Sequence, residues 1–342
     1  MTRRIQTIDA HVAGEPLRLI VNGFPSIAAG SMLEKRDWLQ SHCDDLRRSL
    51  MREPRGHTDM YGALLTEAET PGADAGVLFM HNDGYSTMCG HGIIAVSKII
   101  LERNLITSRN EPGAIVLDSP AGPIKAFATF DTTRKIVTAV RFLNVPSFVL
   151  HPGVEVQLST RTVRADVAFG GAWYAIVDSE AVGIPLTAEH LDELRQVGME
   201  IKTTIDRTHT VTHPSEPRLT GLYGTIFTGP ADHPKAHLRN VTIFANAQID
   251  RSPCGTGTSA VMAVLDAIGL LTEDQPFVHE SIVGTMFTGR LKERTYVGEH
   301  KSIVPEIEGS AWITGEHTFL INDEDPLNEG FRLGWTERAE FL

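Results

Sequence analysis

The chain has 342 residues, more than one hydrophobic core comfortably serves, and its 42% hydrophobic and 22% charged residues describe a globular protein of two packed parts. A formal net charge of −12 argues against nucleic acid or an anionic membrane as the main partner, although backbone amides can still hold a small anion locally. Three cysteines are too few for a disulfide framework; no signal-peptide core follows Met1 and no run nears the ~20 apolar residues of a membrane span, so a reducing, cytoplasmic setting is expected.

The segment Ile5 to Asn22 alternates around Asp9–Pro16 and reads as two strands about a turn. Ser31-Met32-Leu33-Glu34 is a capping-box pattern that opens a helix running to about Arg52. Leu39, Cys43, Leu46 and Leu50 lie on one face of it, which makes Cys43 a small core residue and not part of a site. A turn at Glu53–His57 leads to a strand at Met60–Leu65, a Pro-Gly loop, a strand at Val77–Met80 and a helix from about His91 to Arg103. Strands are expected at Ala114–Leu117, Ala126–Thr129, Ile136–Leu143 and Ser147–Leu150. Later come a helix capped by Thr187, with Leu191, Leu194, Gly198 and Ile201 on one face, and a helix from Ala260 to about Leu271. The end is strand-rich: Ser281–Met286, Ile303–Ile307, Trp312–Ile313 and Thr318–Ile321.

Near residue 160 the order of events restarts. Asp166…Gly171 matches Asp9…Gly14, Glu216-Pro217-Arg218 matches Glu53-Pro54-Arg55, and Tyr223-Gly224 matches Tyr61-Gly62. Cys89-Gly90-His91-Gly92-Ile93-Ile94-Ala95-Val96 and Cys254-Gly255-Thr256-Gly257-Thr258-Ser259-Ala260-Val261 share the pattern C-G-x-G-x-x-A-V. The offsets of 157, 163, 162 and 165 are nearly constant, which implies a duplicated α/β unit. The expected division is a first lobe over 1–145, with the tail 325–342 returning to it, and a second lobe over 146–324.

An apolar strand precedes each Cys motif and a helix follows, so each cysteine is expected in a strand-to-helix turn. Unpaired N–H groups there suit an anion, and their field favours thiolate over thiol. A pseudo-twofold repeat would set Cys89 and Cys254 on either side of one ligand, a carboxylate held by the amides of Gly90-His91 and Gly255-Thr256. One thiolate could then remove a proton beside that carboxylate while the opposite thiol donates one, the amides stabilising the carbanion between. On this reading a thiol is expected to fall toward roughly 3.5–7.5. His91 would brace the turn or bind substrate, and Asp250 would hold a substrate ammonium or serve the turn, with Arg251 as an alternative ion-pair partner. The rivals are a thiol–disulfide enzyme, disfavoured by the lack of C-x-x-C, and a non-catalytic carboxylate-binding protein. A phosphate loop lacks its G-K-[ST], and neither His209/His213 nor His233/His237 has the spacing of a metal site, so no metal is expected.

Met88-Cys89-Gly90-His91-Gly92 and Asp250-Arg251-Ser252-Pro253-Cys254-Gly255-Thr256-Gly257 closely resemble the two signatures of the proline racemase family. That family contains proline racemases, hydroxyproline 2-epimerases and trans-3-hydroxy-L-proline dehydratases. Gly14-Glu15-Pro16, Gly84-Tyr85 and Phe287-Thr288-Gly289 extend the likeness over nearly the whole chain; Val12 departs from it, Thr being common there. The resemblance implies a diaminopimelate-epimerase-like α/β fold of two similar lobes with the site between them, and no cofactor. It implies Cys89 and Cys254 as paired acid and base, Gly90, His91, Gly255 and Thr256 around the carboxylate, and Asp250 with His91 at the ring nitrogen. Tyr61 and Phe244 fall where the family tends to place aromatics over the ring. Dehydratases of the family typically carry Thr at the second Cys, so Cys254 favours epimerisation, whereas the surroundings of His57 and Tyr85 look more like the dehydratase branch. The expected activity is inversion of trans-4-hydroxy-L-proline to cis-4-hydroxy-D-proline. Dehydration of the 3-hydroxy isomer or proline racemisation is the alternative, the partner is a small pyrrolidine-2-carboxylate, and a homodimer is left open.

Overall fold

The computed structural model describes residues 2–27, 30–108, 110–273 and 275–333. It divides into a first unit, residues 1–88, 92–140 and 310–342, and a second unit, residues 89–91 and 141–309. No helix among the described residues is long and apolar enough to cross a membrane.

In chain order the first unit begins with β1 (Thr2–Val12), β2 (Glu15–Asn22), α1 (Met32–His42), α2 (Asp44–Met51), β3 (Tyr61–Thr66), β4 (Ala75–His81) and the short β5 (Tyr85–Ser86). Next are α3 (Gly90–Arg103), β6 (Ala114–Ser119), β7 (Gly122–Asp131) and β8 (Ile136–Leu143). Then come β9 (Ser147–Gln157), β10 (Thr162–Phe169), β11 (Trp173–Asp178), the single turn α4 (Ser179–Val182), α5 (Leu191–Thr208), β12 (Gly224–Gly229), β13 (Leu238–Phe244) and β14 (Gln248–Asp250). The last elements are α6 (Gly255–Ala267), β15 (Phe277–Glu280), β16 (Met286–Val297), β17 (His300–Gly309) and β18 (Ala311–Asn322).

The two units repeat one pairing scheme. In the first, β1 and β2 are antiparallel, β2 and β3 parallel, β3 and β4 antiparallel, β4 and β6 parallel, and β6 and β7 antiparallel. The second repeats that alternation through β10, β11, β12, β13, β15 and β16. Arg18 pairs with Gly62 in one and Tyr174 with Gly224 in the other, so the duplication read from the motifs extends to register. In the second unit β16 pairs β17, β17 pairs β9 and β9 pairs β10, which closes the strand order on itself. Helix α6 packs against β9, β10, β11, β16 and β17, and every residue from Gly255 to Ala263 is buried. Small and apolar residues, with hydroxyls that bond within the protein, suit such a position.

Local signals explain most elements. Ser31 Oγ accepts from the Glu34 amide at 3.2 Å and Glu34 Oε2 from the Ser31 amide at 2.8 Å, completing the capping box of α1. The helix does not run unbroken to Arg52: Cys43 leaves helical geometry at φ −138° and α2 restarts at Asp44. The apolar face survives the break, because Leu39, Cys43, Leu46 and Leu50 all enter one core with Ile5, Leu78 and Ile321.

Three further expectations need correction. Thr187 stands at the N-cap of a 3-10 turn, Ala188–His190, and not of α5, whose cap position is His190; its Oγ1 pairs with His190 Nδ1 at 2.8 Å and caps no backbone amide. Residues 281–285 are a turn between β15 and β16, not a strand, because Ser281 Oγ accepts from the amides of Val283 and Thr285 and Gly284 takes φ +77°. The return to the first unit starts at Ser310 and not at 325, since β18 runs antiparallel along β1 from Thr2↔Asn322 to Val12↔Ala311. The tail is described only to Leu333, within which Phe331 donates to the Glu53 carbonyl at 2.8 Å.

Candidate active site

Cys89 and the first two residues of α3, Gly90 and His91, belong to the second unit together with the whole β14–α6 turn. The two C-G turns meet at their glycines. A Cβ on Gly90 would lie 2.5 Å from Gly255 Cα, and one on Gly255 would lie 2.6 Å from Gly90 Cα. Such contact is possible only between two residues without side chains, and the Phe142 ring closes over both. Gly170, one residue before the end of the Asp166…Gly171 repeat, plays a similar part. A Cβ there would sit 2.1 Å from the Thr256 carbonyl oxygen, so the β10–β11 turn lies directly on the first turn of α6.

Cys254 caps α6. Its backbone adopts φ 62°, ψ 109°, a conformation that L residues rarely hold and that clusters at functional sites. Its carbonyl accepts from the Thr258 amide at 2.7 Å and its Sγ from the Gly257 amide at 3.3 Å. The amides of Gly255 and Thr256 open the helix, where helical geometry supplies no partner. Two further groups braced from below hold the turn: Asn240 Nδ2 and Thr258 Oγ1 both donate to the Pro253 carbonyl, at 2.8 and 3.0 Å. Thr258 Oγ1 is in turn 2.9 Å from His279 Nδ1.

Each predicted residue is placed as follows. Cys89 is buried, with its Sγ 3.2 Å from His91 Nδ1, so His91 faces the sulfur two residues before it. Asp250 ends β14 and is buried; its Oδ1 accepts from the Ser252 amide at 2.8 Å and from Ser252 Oγ at 2.7 Å. Burial pushes the Asp250 carboxyl up to about 6, against the opposing pull of Ser252. Thr256 Oγ1 lies 3.6 Å from Cys254 Sγ. Phe244 stacks on Tyr223 at 5.3 Å, whereas the Tyr61 hydroxyl is taken by Ser86 Oγ at 2.5 Å.

The thiol behaves contrary to the helix-terminus argument. Burial first, and the Asp250 carboxylate second, push the Cys254 thiol up to about 12, while Tyr174, Thr256 and the Gly257 amide pull weakly the other way. Desolvation penalises the whole charge, whereas the helix end offers about half a charge, so burial wins. Burial therefore favours the protonated form of Cys254.

Two participants carry no recognisable signal in the sequence. Tyr174, on β11, puts its hydroxyl 2.7 Å from Thr256 Oγ1 and 3.6 Å from Cys254 Sγ. Its position in the repeat is held by Arg18, so the duplication masks it. Ser252 looks like an ordinary turn residue, yet its Oγ both donates to Asp250 and accepts from the Cys254 amide at 3.1 Å.

Residues 7–332 match the family described as proline racemase. The chain is 46% identical over 328 residues to a trans-3-hydroxy-L-proline dehydratase of Bacillus cereus, covering 96% of this chain and 98% of that one. It is 40% identical over 332 residues to a 3-hydroxyproline 2-epimerase of Burkholderia multivorans, covering 97% and 98%. A crystal structure of a hydroxyproline epimerase from Agrobacterium vitis, with bound trans-4-hydroxy-L-proline, superimposes with a TM-score of 0.88 at 30% identity, covering 97% of this chain and 96% of that one.

Proposed function

The chain belongs to the proline racemase family, and from that premise we propose that it inverts Cα of a hydroxyproline, without a cofactor, by an acid–base exchange between Cys89 and Cys254. The observation that carries this reading is the backbone contact of Gly90 with Gly255, which brings two cysteine-bearing helix starts together. In this mechanism the amides of Gly90, His91, Gly255 and Thr256 hold the substrate carboxylate, and Asp250 with His91 takes the ring nitrogen. The Cys89 sulfur, with His91 as its hydrogen-bond donor, removes the Cα proton. The electron pair left on Cα spreads into the carboxylate, whose developing charge the amides stabilise. Cys254, which burial keeps protonated, delivers its proton to the opposite face of Cα. The product leaves a Cys89 thiol and a Cys254 thiolate, the form that runs the reverse reaction.

The relatives bear on the position of the ring hydroxyl. Relatives at 46% and 40% identity are named for 3-hydroxyproline, whereas the structure holding trans-4-hydroxy-L-proline is 30% identical. We favour 3-hydroxyproline over the 4-hydroxy isomer expected from the sequence. Dehydration is a second reading, favoured by the Bacillus cereus relative. With a hydroxyl on the neighbouring carbon, the same carbanion can instead expel it: the Cα electron pair forms the ring double bond, the C–O bond breaks, and the leaving oxygen takes back the proton that Cys89 removed and departs as water, which restores the Cys89 thiolate. The test is proton NMR in D2O with trans-3-hydroxy-L-proline, trans-4-hydroxy-L-proline and L-proline, each in turn. Growth of the Cα-deuterated D-isomer of the 3-hydroxy compound is the expected result. A pyrroline product without inversion would replace epimerase by dehydratase. Turnover of the 4-hydroxy compound alone would restore the 4-hydroxy reading, and no exchange with any of the three would overturn the proposal.

A further inference from the structure

We propose that Tyr174 is a positioning residue for Cys254, its hydroxyl turning to the sulfur when Cys254 is a thiolate and to Thr256 when it is a thiol. The inference rests on the two-cysteine reading above, because only that chemistry makes Cys254 alternate between the two forms in every turnover.

The geometry supplies the two positions. The Tyr174 oxygen lies 2.7 Å from Thr256 Oγ1 and 3.6 Å from Cys254 Sγ, and Thr256 Oγ1 lies 3.6 Å from the same sulfur. The third donor, the Gly257 amide at 3.3 Å, is fixed by the helix and cannot turn. Two hydroxyl rotors and one rigid amide therefore surround the sulfur of a residue that is only 6% exposed. A buried thiolate is tolerable only with donors of this kind, and a hydroxyl can follow the charge without any heavy atom moving.

The phenol suits the task. Tyr174 is fully buried, and burial, then the neighbouring Cys254, hold its hydroxyl well above the ordinary range, so it always carries the proton it offers. The ring cannot drift: it packs edge-on to Tyr223 at 5.9 Å and 83°, and Tyr223 stacks on Phe244. The other titratable groups about the sulfur are Asp250, which disfavours the thiolate, Arg251, which acts through Asp250, Tyr223, and Cys89 with His91 across the glycine contact. Beside these groups, Tyr174 and Thr256 each bring a neutral side-chain hydroxyl to 3.6 Å from Sγ.

Tyr174→Phe removes one oxygen and leaves the ring in place. Donation to an anion is worth roughly a factor of ten or more, so three effects are expected. kcat falls about ten-fold with KM nearly constant. The alkaline limb of kcat/KM moves up by about one pH unit while the acid limb stays, because the change acts on the loss of the last proton from the cysteine pair. In a Cys89→Ser background, alkylation of Cys254 by iodoacetamide, followed by mass spectrometry, slows about ten-fold at fixed pH. That last readout needs no turnover, so it separates failure of this inference from failure of the epimerase reading, which the D2O experiment on the unmodified protein reports. Tyr174→3-fluorotyrosine keeps the hydroxyl and makes it a stronger donor, so alkylation should speed up. Alkylation within two-fold of the parent in both variants, with an unmoved pH profile, would reduce Tyr174 to packing and overturn the proposal.

Discussion

Gly90 and Gly255 touch through their backbones, with no room for a methyl group on either: the nearest atom to a Cβ on one is the Cα of the other, at 2.5–2.6 Å. Backbone cannot swing away as a side-chain end can. Gly90→Ala should therefore spread the two cysteine turns and cost roughly 100-fold in kcat/KM, the scale of an ångström misplacement at a reacting centre. Kinetics alongside thermal unfolding will separate the effects, since the variant is expected to fold with a lowered Tm. Unchanged kcat/KM would show that the glycine contact does not set the sulfur positions.

Replacing either sulfur should remove inversion. Cys89→Ser and Cys254→Ser are each expected to lower the rate of Cα exchange by about 10²–10⁴, the usual contribution of a general acid or base. Cys254→Thr is the more informative variant. With trans-3-hydroxy-L-proline it should lose the D-isomer in D2O and retain or gain pyrroline formation, because elimination needs a base at Cα but no second proton donor there. A thiol–disulfide enzyme would instead lose two titratable thiols on mild oxidation, and a carboxylate-binding protein would keep its affinity in both serine variants.

Asp250 gives stability a defined pH dependence. Its carboxyl is raised from 3.8 to about 6, so the unfolded chain ionises first and the folded state bears the cost of a buried charge. The stability associated with the protonated form is complete below pH 3.8 and is lost as pH rises through about 6. Asp250→Asn, which can still accept from Ser252, should raise stability above pH 6 by at most about 3 kcal/mol and change it little near pH 4. Tm measured from pH 4 to 8 checks this, and the same variant should bind substrate more weakly.

His279 acts with the opposite sign. It is wholly buried, its Nδ1 serves Thr258, and its Nε2 has no hydrogen-bond partner among the described residues. Burial lowers it from 6.5 to about 3, so stability present above pH 6.5 drains away as pH falls toward 3, by at most about 5 kcal/mol. The slope of Tm against pH between 6.5 and 4 should flatten in His279→Asn. An unaltered slope would assign the acid sensitivity to other groups.

Much of this is legible in the sequence. The capping box at Ser31, the buried face of Leu39, Cys43, Leu46 and Leu50, and the strand-to-helix turns at Cys89 and Cys254 are set by residues within a few positions of one another. The duplication was legible too, because a copied sequence keeps its offsets, and the pairing of Arg18 with Gly62 and Tyr174 with Gly224 follows them. Local pattern was weaker where hydrogen bonds competed with propensity: an apolar run at residues 281–285 reads as strand, but the Ser281 hydroxyl turns it.

The site shows the division most sharply. Sequence alone determined which residues form the two cysteine motifs, that each stands at a helix start, and that the pattern is that of a family, because all of these depend on short-range order. Tertiary structure alone decided that Gly90 meets Gly255, that a tyrosine 80 positions away reaches Cys254, and that the Cys254 thiol goes up to about 12 instead of down. Those outcomes depend on which distant segments pack around the sulfur and exclude water from it. The cost of burying a full charge exceeds the local field of a helix end, and the extent of that burial is a property of the folded chain as a whole.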